Sequence, residues 1–217
     1  MAYEVHVLYD GFSKMTENGM EANCSCTLIK GPKKIIVDTM TAWDKELIIE
    51  GLARHGVTCE EIDYVVCTHG HSDHIGNNNL FMNAKHIVGF SVSFKNTYFI
   101  HPFETGEPYI IDEDVKVIPT PGHTLSDVSV IVKTKSNGIF AITGDLFERE
   151  EDIKDPHLWQ HVAGSDEPGL QRQNRNRVLQ LADWVVPGHG PKFQVTQKMK
   201  QDVEDILNNS DNQFHYI

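Results

Sequence analysis

Short runs of Val, Ile and Leu, separated by turn residues, dominate the apolar pattern of the chain. Runs of this length and composition are typical of β-strands. They occur in both halves of the sequence with helical stretches between them, which favours two packed sheets flanked by helices. The predicted strands are Tyr3–Tyr9, Cys24–Lys30, Lys34–Asp38, Asp63–Thr68, Val115–Pro119, Asp127–Lys133, Ile139–Thr143 and Trp184–Val186.

Three stretches repeat their apolar residues at helical spacing. In the first, Thr41 is expected to cap a helix that ends near Gly56 and presents one apolar face, made of Trp43, Leu47, Ile48 and Leu52. The second is predicted over Glu167–Leu181, with Ser165 or Asp166 as its cap. The third covers Thr196–Asn208, and we expect its stripe to pack on the core: Val195, Met199, Val203, Ile206 and Leu207.

Length and composition predict a single globular domain spanning residues 1–217. The chain is 40% hydrophobic and 23% charged, and no apolar run approaches the roughly 20 residues of a membrane span. We therefore expect no membrane partner. The N-terminus lacks the pattern of a signal peptide, and the four cysteines show no disulfide framework. These features predict a cytoplasmic or nuclear protein that is not secreted.

The formal net charge of −12 changes the range of expected partners. Such a surface repels polyanions at long range and counts against broad, nonspecific binding of nucleic acid. It remains compatible with a local positive site.

The stretch CTHGHSDH, which ends at His74, holds three histidines and an aspartate within six residues. Because histidine makes up 12 of 217 residues, chance produces such a window in roughly a few cases per thousand, from composition alone. In an extended segment His69 and His71 point to the same side, so both can reach one metal. Asp73 and His74 then begin a turn and point elsewhere.

Three further polar clusters each follow a predicted strand. They place His123 in TPGHT, Asp145 after Gly144, and His189 in PGHG. Loops at strand ends are where a rigid scaffold carries reactive groups, and glycine lets backbone approach closely.

Together the four clusters resemble the signature of the metallo-β-lactamase superfamily of binuclear metal hydrolases: His-x-His-x-Asp-His, then Gly-His, Gly-Asp and a late Gly-His. The resemblance runs from about residue 3 to about residue 197. It implies a four-layer αβ/βα sandwich, an α/β fold with the metals in a cleft at one edge. The run AGSDEPGLQRQNRNRVLQLADWVVPGHGPKF resembles a narrower branch associated with cutting histone pre-mRNA near its 3′ end, which implies an endoribonuclease with an RNA substrate.

Within this resemblance we assign His69, His71 and His123 to a first metal. Asp73, His74 and His189 are assigned to a second, and Asp145 bridges the two. Imidazole and carboxylate ligands without cysteine suit zinc, although iron or manganese would also fit. Two metals about 3.5–4 Å apart can share a hydroxide, with Asp73 and Asp145 as the catalytic carboxylates. Two divalent cations against two aspartates and one hydroxide leave a positive charge, which favours an anionic substrate.

Four other residues are candidates for supporting roles. The resemblance implies that Asp38 hydrogen-bonds behind the ligands, and Thr68 is expected to do the same. Arg175 and Arg177 lie in a helix stretch without acidic neighbours, and either face solvent without a specific role or form an edge that binds phosphate.

Other functions stay open at this point. A small-molecule thioesterase or lactonase of the glyoxalase II type is the alternative to an endoribonuclease, and a non-catalytic protein stabilised by metals is a third class. The chain lacks the inserted RNA-binding domain of larger nucleases, and its acidic charge also counts against RNA. The 28 residues that follow His189 leave little room for the helical substrate domain of glyoxalase II. A homodimer is compatible with the sequence.

Overall fold

The computed structural model describes residues 2–213, with side chains to residue 207. Three α-helices are present in this range: α1 Lys45–Arg54, α2 Pro168–Leu181 and α3 Gln197–Gln213. The strands, in chain order, are β1 Glu4–Tyr9, β2 Phe12–Thr16, β3 Gly19–Asn23, β4 Cys26–Lys30, β5 Lys34–Val37, β6 Tyr64–Cys67, β7 Lys85–Val88, β8 Ser91–Phe94, β9 Thr97–Phe99, β10 Tyr109–Ile110, β11 Val115–Pro119, β12 Val128–Lys133, β13 Ile139–Gly144, β14 Trp184–Pro187 and β15 Phe193–Gln194.

The strands form two mixed sheets and a separate hairpin. The first sheet has the order β1-β4-β5-β6-β7-β8-β9, and the second has the order β10-β11-β12-β13-β14-β15. The pairs β5–β6, β6–β7 and β13–β14 are parallel, and the remaining neighbours are antiparallel. Strands β2 and β3 pair with each other as a separate two-stranded hairpin.

Side chains on the central strands alternate between the two faces of each sheet, and this alternation defines the layers of the sandwich. Ile29 and Val66 point into the space between the sheets, while their chain neighbours Leu28 and Val65 point to the opposite face, where α1 packs. The outer face of the second sheet is covered in the same way by α2 and α3, with Val178 and Met199 in that core. The order helix, sheet, sheet, helix is the predicted αβ/βα sandwich.

All eight predicted strands are present, with ends that differ by at most two residues. The stripe on α3 packs as expected, since Met199 and Val203 are buried and Val195 packs against the same cluster. Among the described residues, no helix is long and apolar enough to cross a membrane.

The start of α1 and the predicted cap residues of α1 and α2 were less accurate. Helix α1 begins at Lys45, four residues after Thr41, whose hydroxyl instead donates to the carboxylate of Asp44. Trp43 therefore lies outside the helix and is 90% exposed. Helix α2 begins with Pro168 and has no side-chain cap, because Ser165 donates to the carbonyl of Gly122. Proline suits this first position, since its missing N–H would have no partner there.

Candidate metal centre

Four loops from the two sheets meet at one edge of the sandwich. Strand β6 leads into His69–His74, and the loops after β11, β13 and β14 carry His123, Asp145 and His189. Strand β12 is antiparallel to both β11 and β13, so those two strands end at the same edge. The fold therefore brings all seven predicted metal ligands together.

A first group of atoms that could bind a metal surrounds His71. Its Nδ1 lies 2.9 Å from His69 Nε2 and 3.1 Å from His123 Nε2. Asp145 Oδ2 lies 3.6 Å from His69 Nε2 and 3.4 Å from His123 Nε2. These four donor atoms all lie within 4.8 Å of one another, close enough for one ion.

A second group lies beside the first. Asp73 Oδ2 is 3.9 Å from His74 Nε2 and 3.8 Å from His189 Nε2. The Asp145 carboxylate also faces this group, since its Oδ1 is 3.3 Å from His74 Nε2 and its Oδ2 is 3.3 Å from His189 Nε2. Asp145 thus contacts both groups, as a bridging carboxylate must.

Two buried atoms indicate that the cluster is built for a cation. Among the described residues, His74 Nε2 and Asp145 Oδ1 have no hydrogen-bond partner, although both side chains are almost fully buried. A buried polar atom without a partner costs free energy unless a ligand satisfies it. Histidine nitrogens and a carboxylate oxygen are donors that zinc accepts, so the residues fit the metal that the sequence predicts.

Asp38 and Thr68 lie directly behind the histidines. Asp38 accepts from the Thr68 backbone N–H at 2.7 Å, and its Oδ2 lies 3.0 Å from His74 Nδ1. The Thr68 hydroxyl lies 3.1 Å from His69 Nδ1 and 3.0 Å from Asp38 Oδ2. Asp38 adopts a φ of 58°, a left-handed conformation that aspartate tolerates better than most residues. Both side chains are placed to orient histidines by hydrogen bonding.

Two glycines at strand ends are required by close approach. A Cβ on Gly188 would lie 1.8 Å from Asp145 Oδ1. Gly144 has a φ of 53°, and a Cβ there would lie 2.2 Å from the Thr68 hydroxyl. The Gly-Asp and Gly-His motifs therefore let the Asp145 carboxylate enter the cluster.

Helix α2 holds the loop that carries Asp145. Gln171, which is buried, donates to the Asp145 carbonyl at 2.9 Å. Arg175 donates to the Leu146 carbonyl at 2.6 Å and forms an ion pair of 2.5 Å with Asp152, which is itself fully buried. The guanidinium also stacks 4.2 Å from the ring centre of Phe147.

Arg175 therefore fits neither expectation for it, a solvated helix face or an edge that binds phosphate. The side chain is 3% exposed, and its donors are used by the Asp145 loop. Helix periodicity alone could not show this, because the acidic partner lies 23 residues away in sequence. Arg177 is exposed and donates to the Pro119 carbonyl at 3.3 Å. It lines a cavity of about 370 Å³ that shares Pro121 and Leu125 with the His123 loop.

The electrostatics differ between the two groups. Burial, together with neighbouring histidines, lowers the pKa of His69 and His71, which keeps these imidazoles neutral and able to bind a metal. Burial also opposes charge on His189, but Asp145 outweighs burial and raises its pKa to about 9. The same balance, with Asp38 as a second carboxylate, raises the pKa of His74 well above its ordinary value. The second group thus favours positive charge.

Two carboxylates near the ligands were missed by sequence reasoning. Asp127 accepts from the backbone N–H of Thr124 at 2.7 Å and holds the turn beside His123; burial raises its pKa to about 6. Glu148 is 3% exposed, and its carboxylate lies within 4.8 Å of donor atoms of Asp145 and His189. Its position three residues after Asp145 is the feature of the sequence that could have indicated a carboxylate near the ligands.

A family model described as the metallo-beta-lactamase superfamily matches residues 19–189, which hold all seven predicted ligands. The chain belongs to this superfamily. The membership and the geometry of the cluster together support a metal-dependent hydrolase.

Relatives place the chain more narrowly. Metallo-beta-lactamase domain-containing protein 1 of Xenopus laevis is 39% identical over 210 residues, which cover 95% of this chain and 88% of that protein. The N-acyl homoserine lactonase of Bacillus cereus is 28% identical over 131 residues, or 55% of this chain and 52% of that protein. The metallo-β-lactamase FIM-1 of Pseudomonas aeruginosa, solved in a mono-zinc form, shares the fold with a TM-score of 0.64 and 17% identity, covering 96% of this chain and 92% of that one.

Proposed function

We propose that the chain is a hydrolase with two metal ions. The observation that carries this proposal is the position of Asp145. Its carboxylate contacts His69 and His123 of the first group, and His74 and His189 of the second. One buried carboxylate that faces two sets of donors is the arrangement that a two-metal centre needs.

In this proposal His69, His71 and His123 hold the first metal, and Asp73, His74 and His189 hold the second. Two bound divalent ions would supply hydroxide at neutral pH and stabilise the negative charge that develops on the substrate. Asp145 fixes the separation of the two positions. Asp38 and Thr68 fix the rings of His74 and His69, so that their other nitrogens face the centre. His71 is exposed, and Asp73 is partly so, which opens the cluster to solvent and substrate on that side.

The proposed substrate is RNA. Support comes from the resemblance of residues 163–193 to the branch associated with histone pre-mRNA, and from the positive charge that two metals leave in the cleft. Arg177 is exposed beside the His123 loop and is available to contact a phosphate. Such a substrate requires a cytoplasmic or nuclear location, which is part of the same proposal.

A lactone or thioester is the second candidate. It is favoured by the identity with the Bacillus cereus lactonase and by the burial of Arg175, which removes one of two expected phosphate contacts. An uncharged ester needs the two metals but no arginine at the rim.

The deciding experiment incubates the purified, zinc-loaded chain with RNA, single-stranded DNA, lactones and thioesters, and maps the ends of any cleaved RNA. We expect RNA products with 3′-hydroxyl and 5′-phosphate ends, because the five motif histidines are used as ligands and none is left to activate a ribose 2′-hydroxyl. Deoxyribose at the cleaved position should still permit cleavage.

Cyclic phosphate ends would refute this mechanism. Turnover of lactones or thioesters without RNA cleavage would replace the first candidate with the second. A chain that takes up only one metal at saturation would contradict the two-metal centre itself.

A further inference from the structure

Glu148 occupies an unusual place for an acidic side chain. It follows β13 in the loop that begins with Asp145, and only 3% of its surface is exposed. Within the described residues the only hydrogen bond to its carboxylate comes from the Ser13 hydroxyl, at 3.3 Å. Burying an ionised carboxylate is costly, and a single long hydrogen bond offsets little of that cost.

The backbone of Glu148 is fixed at both ends. Its N–H donates to Asp152 Oδ2 at 2.7 Å, and Asp152 is held by Arg175. Its carbonyl accepts from the His189 backbone N–H at 2.8 Å. These contacts therefore hold the Glu148 backbone beside Asp145 and His189.

The surrounding donors favour a cation beside this carboxylate. Donor atoms of Asp145, Glu148 and His189 lie within 4.8 Å of one another, and Asp145 Oδ1 has no hydrogen-bond partner in the part of the chain that the structure describes. Two ligand atoms of one zinc ion can be at most about 4.0–4.4 Å apart, because each bond is about 2.0–2.2 Å long. The donor atoms of Asp145, Glu148 and His189 are therefore near the spacing of a shared set of ligands.

We propose that Glu148 is an additional ligand of the second metal. This inference rests on the two-metal centre proposed above. The first position then has three imidazoles and the shared Asp145, a set that suits four-coordinate zinc. The second position has His74, His189 and three carboxylates, a set with five donors that also suits manganese or iron.

The test compares the metal-free wild-type chain with Glu148→Gln and Ser13→Ala. Glutamine keeps the size of the side chain and its acceptor for Ser13, but removes the charge. Each protein is titrated with Zn²⁺ against a competing chelator, and separately with Co²⁺, whose visible spectrum reports coordination number. We expect Glu148→Gln to keep the first metal and to bind the second at least about tenfold more weakly. The absorption of its second Co²⁺ should intensify as coordination number falls.

Ser13→Ala is the matched control, since it removes the hydrogen bond and leaves the carboxylate. It should bind both metals as the wild type does. Unchanged binding and spectra in Glu148→Gln would overturn the assignment, and so would an equal loss in Ser13→Ala, which would trace the effect to the hairpin. A wild-type chain that binds only one metal would instead contradict the proposed two-metal function.

Discussion

The two sides of the candidate metal centre are built differently. On the first sheet, four candidate ligands lie in six residues after β6, and two buried side chains, Asp38 and Thr68, support two of them directly. On the second sheet, His123, Asp145 and His189 come from three separate loops, and helix α2 holds the middle loop through Gln171 and Arg175. The first side is local in sequence, whereas the second depends on packing between distant segments.

Because the two sides are built differently, we expect changes on the first side to alter metal affinity and changes on the second to alter folding stability. Changes behind the first side should alter how tightly a metal binds, with little effect on folding, because the support is a few hydrogen bonds next to the ligands. Changes in α2 should affect folding first, because a buried ion pair holds the loop. Asp145 belongs to both effects, since it contacts donors from both sides.

Asp145→Ala should have the largest effect, because it removes the carboxylate that contacts donor atoms of both groups. We expect metal content to fall from two ions per chain towards none, and activity to be lost. Elemental analysis after purification without chelator measures this. Asp155→Ala, at an exposed carboxylate in the same connection, should leave metal content unchanged. Retention of both metals in Asp145→Ala would show that this residue is not the bridge.

Arg175→Ala tests the architecture of the second side. It leaves Asp152 buried without its partner, which should lower the free energy of unfolding by about 3–5 kcal/mol. Urea unfolding of the metal-free chain measures the loss. Arg177→Ala removes an exposed arginine two residues along the same helix and should change stability by no more than about 0.5 kcal/mol. Equal, small effects of the two changes would contradict the role given to Arg175.

Asp38→Asn tests the support of the first side. Asparagine also tolerates a positive φ, so the backbone should remain as it is, while the charge behind His74 is lost. We expect metal affinity to fall by about 10–100-fold, with little change in unfolding free energy. Chelator competition gives the affinity, and Asp10→Asn, at an exposed aspartate, is the control. Unaltered affinity would mean that Asp38 does not orient His74.

Arg177→Ala should have the smallest effect and sharpens the choice of substrate. If Arg177 contacts a phosphate, the dependence of RNA affinity on salt should flatten by about one unit of slope, with metal content unchanged. Lys135→Ala serves as the control, because Lys135 lies in the turn before β13, at the opposite end of that strand from Asp145. An unchanged slope for Arg177→Ala would assign this arginine to a solvated helix face.

The sequence predicted the central strands well because residues such as Ile29, Val66 and Val130 are buried in regular alternation or in short apolar runs. It missed the β2–β3 hairpin, where Phe12, Met15 and Met20 are exposed, so no buried face imposes a pattern. Trp43 was misplaced for a related reason. Its spacing fits the apolar face of α1, but helix start depends on which residue binds the free N–H groups.

The candidate site shows the same division. The candidate ligands of the His69–His74 stretch were found because they lie close together in sequence. His123, Asp145 and His189 were found because their motifs follow the order of the superfamily signature. Glu148 and Asp152 belong to no such motif. Their importance comes from burial and from partners as distant in sequence as Ser13, so periodicity and spacing could not indicate it.

The rings of His123 and His189 are fixed by main-chain oxygens. His123 Nδ1 lies 2.9 Å from the Gly164 carbonyl, and His189 Nδ1 lies 3.0 Å from the Asn23 carbonyl and 3.2 Å from that of Phe12. A carbonyl can only accept, so Nδ1 carries the proton and Nε2 is free to face the cluster. Every residue type has a carbonyl, so substitutions at positions 12 and 23 leave the two contacts of His189 available. Gly164 is different, because its φ of 90° disfavours any other residue there. Insertions or deletions in the same loops would move the oxygens and remove these hydrogen bonds. In this half of the centre, the length of the supporting loops is therefore more constrained than the residue types at positions 12 and 23.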